Sequence, residues 1–192
     1  MSKRWRYSLL TLASGAAVFG LVFGLMHGCG SDPRAPALLN EPVYTNMQEG
    51  FRFVVPEGWK IQGRAEFPQK VMKEEHMLVE YRQIRDGKTL SLLVSMVDLP
   101  RDASFTDYVT QRLYPPSGWK IAPAEKLQLG EAPAERLVMT LRTDKDKEGI
   151  VREVVAVRKG ERVYFFSGSF PAKDTTGRDE IRKAVASLAW ER

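Results

Sequence analysis

Gly50-Phe51-Arg52-Phe53-Val54-Val55-Pro56-Glu57-Gly58-Trp59-Lys60-Ile61 is the stretch on which the reading of this chain turns. Phe51, Phe53 and Val55 alternate with Arg52 and Val54, the two-residue period of a half-buried strand. Pro56 has no N–H to give to a ladder, and Gly58 adopts a positive φ without steric cost, so the strand stops there. Trp59 restarts a strand with a large apolar anchor, and the two strands read as a hairpin. That hairpin opens the only folded domain, placed at 43–192.

Downstream, His76 to Ile84 alternates, with Met77, Val79 and Tyr81 on one face and Glu80 and Arg82 on the other. Asp86-Gly87 is a two-residue hairpin signal. Lys88 to Val97 is apolar on both faces, Leu90, Leu92, Val94 and Met96 against Leu93 and Val97, which predicts a central strand covered on both sides. Ser104 followed by Asp107 is a capping-box variant, and Phe105, Tyr108, Val109 and Leu113 recur at helical spacing. Trp119–Ile121, Leu127–Leu129, Ala134–Arg142, Ile150–Arg158 and Arg162–Phe170 then read as antiparallel strands. Turns are expected at 130–133, 146–149 and 159–161. Thr176 with Asp179 is a second capping box, ahead of a helical stripe of Ile181, Val185 and Leu188, with Trp190 sealing its end against the sheet. The order predicts an α+β fold, one antiparallel sheet with a helix on each face.

Size and charge narrow the function. The 192 residues suit one domain with appendages. The formal charge is +5, but Lys3, Arg4 and Arg6 precede an apolar run from Leu9 to Met26; without them 26 basic residues face 24 acidic ones. A net of +2 with no basic run argues against nucleic acid. The positive flank and apolar run make an export signal over 1–28, and the run is also long enough to span a bilayer. The one cysteine, Cys29, follows it, which excludes an intramolecular disulfide.

Leu25-Met26-His27-Gly28-Cys29 resembles the lipobox of bacterial lipoproteins, in which the cysteine becomes the lipidated first residue. Gly28 and Cys29 fit its last two positions; Met26 and His27 depart from it. Lipidation of Cys29 is the expectation, with cleavage near Gly30 or an uncleaved anchor as alternatives. In each case the domain faces away from the cytoplasm, on the periplasmic side of the inner or outer membrane. Residues 29–42 carry three prolines and no periodicity, and read as a flexible tether.

The opening Gly50–Trp59, the helix after Leu99-Pro100-Arg101-Asp102-Ala103-Ser104, and the Arg162–Phe170 strand before a final helix together resemble the PsbP/DcrB-type (PsbP-like) family, from about Phe51 to Trp190. The resemblance implies a three-layer αβα sandwich. It also implies the habit of that family, which holds photosystem subunits, envelope lipoproteins and a GTPase-binding relative: non-enzymatic binding.

Chemistry is sparse in the residues themselves. His76 is the sole histidine of the mature domain, and a Ser-His-Asp triad would have to use it. Ser167-Gly168-Ser169 lies in a strand pattern and is no nucleophile elbow. Asp144 to Gly149 imitates half an EF-hand loop, but Val155 stands where the twelfth-position carboxylate belongs, so a solvated turn is expected and no metal. Glu74-Glu75 would need a third acid from elsewhere to act as a glycosidase. Pro56–Ile61 is echoed by Pro116-Ser117-Gly118-Trp119-Lys120-Ile121. The echo reads as a shared turn solution; two aromatics around the stiff 114–119 loop, with Trp59 after the matching turn, nominate a partner-binding surface of Tyr114, Pro115, Pro116, Trp119 and Trp59, although both tryptophans also suit core anchors. The expectation is therefore a monomeric accessory protein without catalytic residues or cofactor. Its partners would be the membrane, through its lipid, and an unidentified envelope protein. A hydrolase, or a carrier of an apolar ligand between sheet and helix, stands as the alternative.

Overall fold

The computed structural model of the chain describes residues 42–65, 74–113, 118–143 and 146–191. In chain order come β1 (Val43–Asn46), β2 (Phe51–Val54), β3 (Lys60–Arg64), β4 (His76–Arg85) and β5 (Lys88–Asp98). Helix α1 (Phe105–Arg112) follows, then β6 (Trp119–Ile121), β7 (Glu125–Leu129), β8 (Ala132–Thr143), β9 (Asp146–Lys159) and β10 (Arg162–Pro171). Helix α2 (Thr175–Ala186) and β11 (Ala189–Trp190) end the fold. The strands form two antiparallel sheets, a small one of order β1-β2-β11 and an eight-stranded one of order β3-β4-β5-β10-β9-β8-β6. The long β8 pairs β7 along its first half and β6 along its second.

The opening stretch is therefore no hairpin. Its first strand, β2, belongs to the small sheet, and β3 pairs with β4 at the edge of the large one. Alternation marks a strand but not its partner, and the proline break lets the chain change sheets. The turn closes through Trp59 N–H on Pro56 C=O at 3.3 Å, with Gly58 at φ +78°. The edge strand β3 is mostly exposed, Ile61 included. Two further elements escape the hydrophobic pattern because they are short: β1, which pairs β2, and β11, which also pairs β2 and sets Trp190 5.5 Å from Phe51.

The large sheet carries apolar clusters of opposite alternation. One joins Phe51 and Phe53 of the small sheet to Leu90, Leu92, Tyr164 and Phe166 of the large sheet and to Ile181, Ala184 and Val185 of α2. The other joins Val97, Val154, Val163 and Phe165 to Val109 of α1. Rings at 5–7 Å in edge-on geometry, such as Phe51–Phe166 and Phe53–Tyr81, dominate the first. There α2 lies unusually close to the sheet. A Cβ on Gly168 would meet Ile181 Cγ2 at 2.6 Å, and one on Gly177 would meet Leu90 Cδ2 at 2.2 Å.

A part-buried polar cluster borders the apolar contact between the sheets. Glu49, in the β1–β2 turn, accepts from Arg162 and, at 2.8 Å, from the Tyr164 hydroxyl, while Arg162 also reaches Asp98 at 3.0 Å. Burial, then the hydrogen bond and charge of Glu49, hold the Tyr164 phenol well above its ordinary pKa. Burial alone would lower Arg162; the bonds to Glu49 and Asp98 outweigh it and raise it.

Local signals fare unevenly. Asp86 and Gly87 both take positive φ, as a two-residue hairpin needs. Ser104 caps α1, accepting from Asp107 N–H. The cap of α2 is Asp174, accepting from Gly177 N–H at 2.7 Å, and not Thr176. Two candidate caps stand within three residues, and the turn after Pro171 reaches Asp174 first. A bulge between Met77 and Val79 turns Met77 outward and buries Leu78 instead. Ala132-Pro133 and Asp146–Gly149, read as turns, are strand: Gly130 supplies the first turn, and Gly149 sits at φ +70° within β9, near the bulge after Leu141.

Candidate functional site

Helix α1 has eight residues and is about 12 Å long, whereas the large sheet is seven strands wide, about 29 Å at the ordinary strand spacing. One short helix cannot cover that face. The registers show what is left open. Arg82, Ser91, Ser169, Arg152, Met139 and Ile121 lie opposite one another in a row across six strands. The next row toward α1 runs Glu80, Leu93, Ser167, Val154 and Leu137. Strand β5 is central as expected, and its second half is covered on both sides, Val94 to Val97 all being buried; in its first half Leu90 and Leu92 are fully buried but Ser91 and Leu93 only half.

These rows floor a groove of about 470 Å³. Arg112 and Leu113 from the end of α1 form one wall, Trp119 of β6 another, and Glu75 and Glu80 close the β4 side. Ser104 starts α1 where the chain leaves β5, and the helix ends after two turns, so its last residue, Arg112, arrives at the groove edge. There Arg112 pairs with Glu75 at 2.9 Å, and the buried Ser95 hydroxyl donates to the other Glu75 oxygen. Burial, and then the charge of Glu75, raise the nearby Tyr108 phenol. Glu80 is paired by Arg82 at 2.7 Å. Arg152 lies over the Trp119 ring, 5.3 Å from its centroid. It has no carboxylate partner among the described residues.

Trp119, nominated from sequence, thus forms a groove wall. Trp59 does not join it: it is 7% exposed, belongs to the α2-side cluster, and its Nε1–H donates to Glu180 at 3.1 Å. The two echoed turns deliver their tryptophans to opposite faces of the sheet. Tyr114, Pro115, Pro116 and the lipidation candidate Cys29 lie outside the described residues. His76 begins β4 opposite Met96 and is not among the groove lining. The Glu74-Glu75 pair divides, Glu74 exposed and Glu75 bound by Arg112. Among the described residues no group of three histidines, cysteines or carboxylates could hold a metal, and no helix is long and apolar enough to cross a membrane.

Sequence reasoning missed Arg152, Ser91, Ser167 and Ser169. The signal was present: Ser167 and Ser169, two apart in an otherwise apolar strand, and Ser91 in its neighbour mark a face that is not wholly covered. An apolar cavity does lie between α2 and the large sheet, lined by Leu127, Phe166 and Ile181, with Arg182 and Arg136 held by Glu153 at its rim. It holds about 100 Å³, well short of the roughly 300–1,000 Å³ of ordinary ligand pockets.

No family model and no curated protein sequence matches the chain. Solved structures do. The cyanobacterial PsbP (CyanoP) of Synechocystis superposes with a TM-score of 0.52 at 16% identity, over 78% of this chain and 91% of its own. LpqN of Mycobacterium tuberculosis, described as involved in cell envelope biogenesis, gives a TM-score of 0.49 at 13% identity over 79% and 91%. A Pseudomonas aeruginosa protein described as a putative regulator gives 0.49 at 14% over 79% and 98%. Mostly antiparallel sheets with two helices thus make an α+β fold like that of cyanobacterial PsbP, and at this identity the likeness reaches the fold alone.

Proposed function

We propose that the protein is a non-enzymatic accessory module of the cell envelope, tethered outside the cytoplasm by a lipid on Cys29, which binds its partner through the groove beside α1. The layers run α1, large sheet, then α2 with the small sheet, an αβα arrangement in which the α1 layer stops short. The observation that carries the reading is this uncovered sheet face. A floor of half-buried Ser91, Leu93 and Ser167 beside buried Val154, walled by Trp119 and Arg112, combines polar and apolar surface as binding sites do. Binding is favoured over hydrolysis because the groove's two carboxylates, Glu75 and Glu80, are each paired with an arginine, and His76 lies outside its lining. The leader and the 29–42 tether supply the address.

Two measurements test this. Cys29→Ser should abolish labelling by an acyl-chain analogue and release the protein from the membrane fraction; unchanged mass and fractionation would remove the anchor. A photo-crosslinking side chain at position 169 should yield a discrete adduct in intact cells. The same group at position 183, exposed on α2, should not. Equal or absent adducts at both would remove the groove as the binding surface.

A further inference from the structure

We propose that the groove is an oxyanion receptor, in which the Arg152 guanidinium, laid over Trp119, grips the carboxylate or phosphate of a small hydroxylated ligand. This rests on the groove being the protein's binding surface and names what it takes. Arginine has two recognition surfaces, a flat face that stacks on aromatics and an edge of five N–H donors that fits oxyanions. Trp119 takes up one side of the guanidinium, whose carbon lies over the ring, 5.3 Å from its centroid. The edge is uncommitted: no carboxylate among the described residues reaches it.

The other cations of the groove are already spoken for. Arg112 is paired with Glu75 and Arg82, just outside the lining, with Glu80, so Arg152 is the lining cation left without a carboxylate among the described residues. Stacking also restricts a long side chain before any ligand arrives, which removes part of the ordering cost of binding. Ser169 stands directly opposite Arg152 and Ser91 directly opposite Ser169, at cross-strand Cβ spacings of about 5 Å. With Ser167 in the next row, their hydroxyls line the cavity and have no partner among the described residues. They add donors beside the guanidinium edge.

The far end of the groove sets the rest of the ligand. Glu75 and Glu80, paired with Arg112 and Arg82, keep oxygen lone pairs there that accept from hydroxyls. The ligand is therefore anionic at one end and hydroxylated at the other. A volume of about 470 Å³ suits a body of sugar size.

Calorimetric titration of the full chain in detergent micelles tests this with two probes, glucuronate for a carboxylate source and glycerol 1-phosphate for a phosphate source. Glucose and glycerol serve as neutral controls. At least one anion should bind and the neutral controls should not. Arg152→Ala should weaken that binding about tenfold or more, and Arg152→Lys, which keeps the charge but loses the two-pronged edge, should fall between. Thermal unfolding of both variants should match the parent, since Arg152 is exposed. If neither anion binds, or Arg152→Ala binds like the parent, the inference is overturned. Adducts from position 169 report contact whatever the ligand's charge. Their persistence without anion binding would sink the receptor and leave the binding module standing; loss of both would sink both.

Discussion

Gly168 and Ser169 are neighbours on β10, and they face two different environments. Gly168 looks toward α2, where any side chain would strike Ile181, and Ser169 looks into the groove beside α1. The α2 side is filled by a three-turn helix, a second small sheet and a cluster of nine aromatic side chains from Tyr44 to Trp190. The α1 side has a two-turn helix and ends in half-buried serines. A sheet needs only one well-packed face for stability, because burying one set of strand side chains already removes most of the apolar surface from water. The second face is free to be polar, and that is where a binding surface can be built at little cost to folding.

The sharpest way to break this contrast is one substitution made at both positions. Gly168→Val places a β-branched side chain where a Cβ alone would stand 2.6 Å from Ile181 Cγ2. Neither β10 nor α2 can yield without disturbing Phe166 and Val185, so the helix must lift. Overpacking of this kind costs about 3 kcal/mol. A denaturant midpoint close to that of the parent would mean that α2 sits more loosely than its contacts indicate.

How much of this was legible in the chain follows from the length scale of each feature. The core strands declared themselves: Leu90, Leu92, Val94 and Met96 alternate, and all are fully buried. Local chemistry was legible wherever one residue decides, as with Asp86-Gly87 and Ser104. What failed was pairing. Nothing in Phe51–Ile61 says that β2 pairs with strands at both ends of the domain, because β11 lies more than 130 residues away and is two residues long. The site failed for the same reason. Arg152 and Trp119 are far apart in sequence and meet only because β8 runs between their strands. Trp119 is legible because an indole beside a stiff loop suits a rim at any separation, whereas Ser169 reads only as part of a strand and Ser91 not at all, because a serine's role there is set by its cross-strand neighbours.

The polar cluster sharpens the comparison from the filled side, with a smaller effect. Tyr164 donates to Glu49 at 2.8 Å, and its folded pKa is raised above the ordinary value of about 10 by burial first and by Glu49 next. A raised folded pKa means that the folded state keeps the phenolic proton after the unfolded chain has lost it. The stabilisation is then full below about pH 10 and fades as pH climbs from there toward the folded value. Tyr164→Phe should cost about 1 kcal/mol at neutral pH. It should also flatten the fall in melting temperature above pH 10, leaving the residual slope to Tyr81 and Tyr108, whose pKa values are raised as well. An alkaline limb as steep as the parent's would mean that the Tyr164–Glu49 bond does not hold the cluster.

Ser169→Val carries the smallest expected change in stability and bears most directly on function. The position is half-buried, its neighbours across the strands are Ser91 and Arg152, and its hydroxyl has no partner among the described residues. Valine there deletes no internal hydrogen bond, meets open space, and suits a strand, so stability should move by no more than about 0.5 kcal/mol in either direction. The same change one residue earlier costs several times as much. Binding should respond the other way round: a methyl pair in place of a hydroxyl beside the guanidinium removes a donor from the groove floor. Equal destabilisation at 168 and 169, read by denaturant melts on the two variants, would mean that the α1 face is as full as the α2 face. The groove would then be part of the core, and its serines would be there for packing.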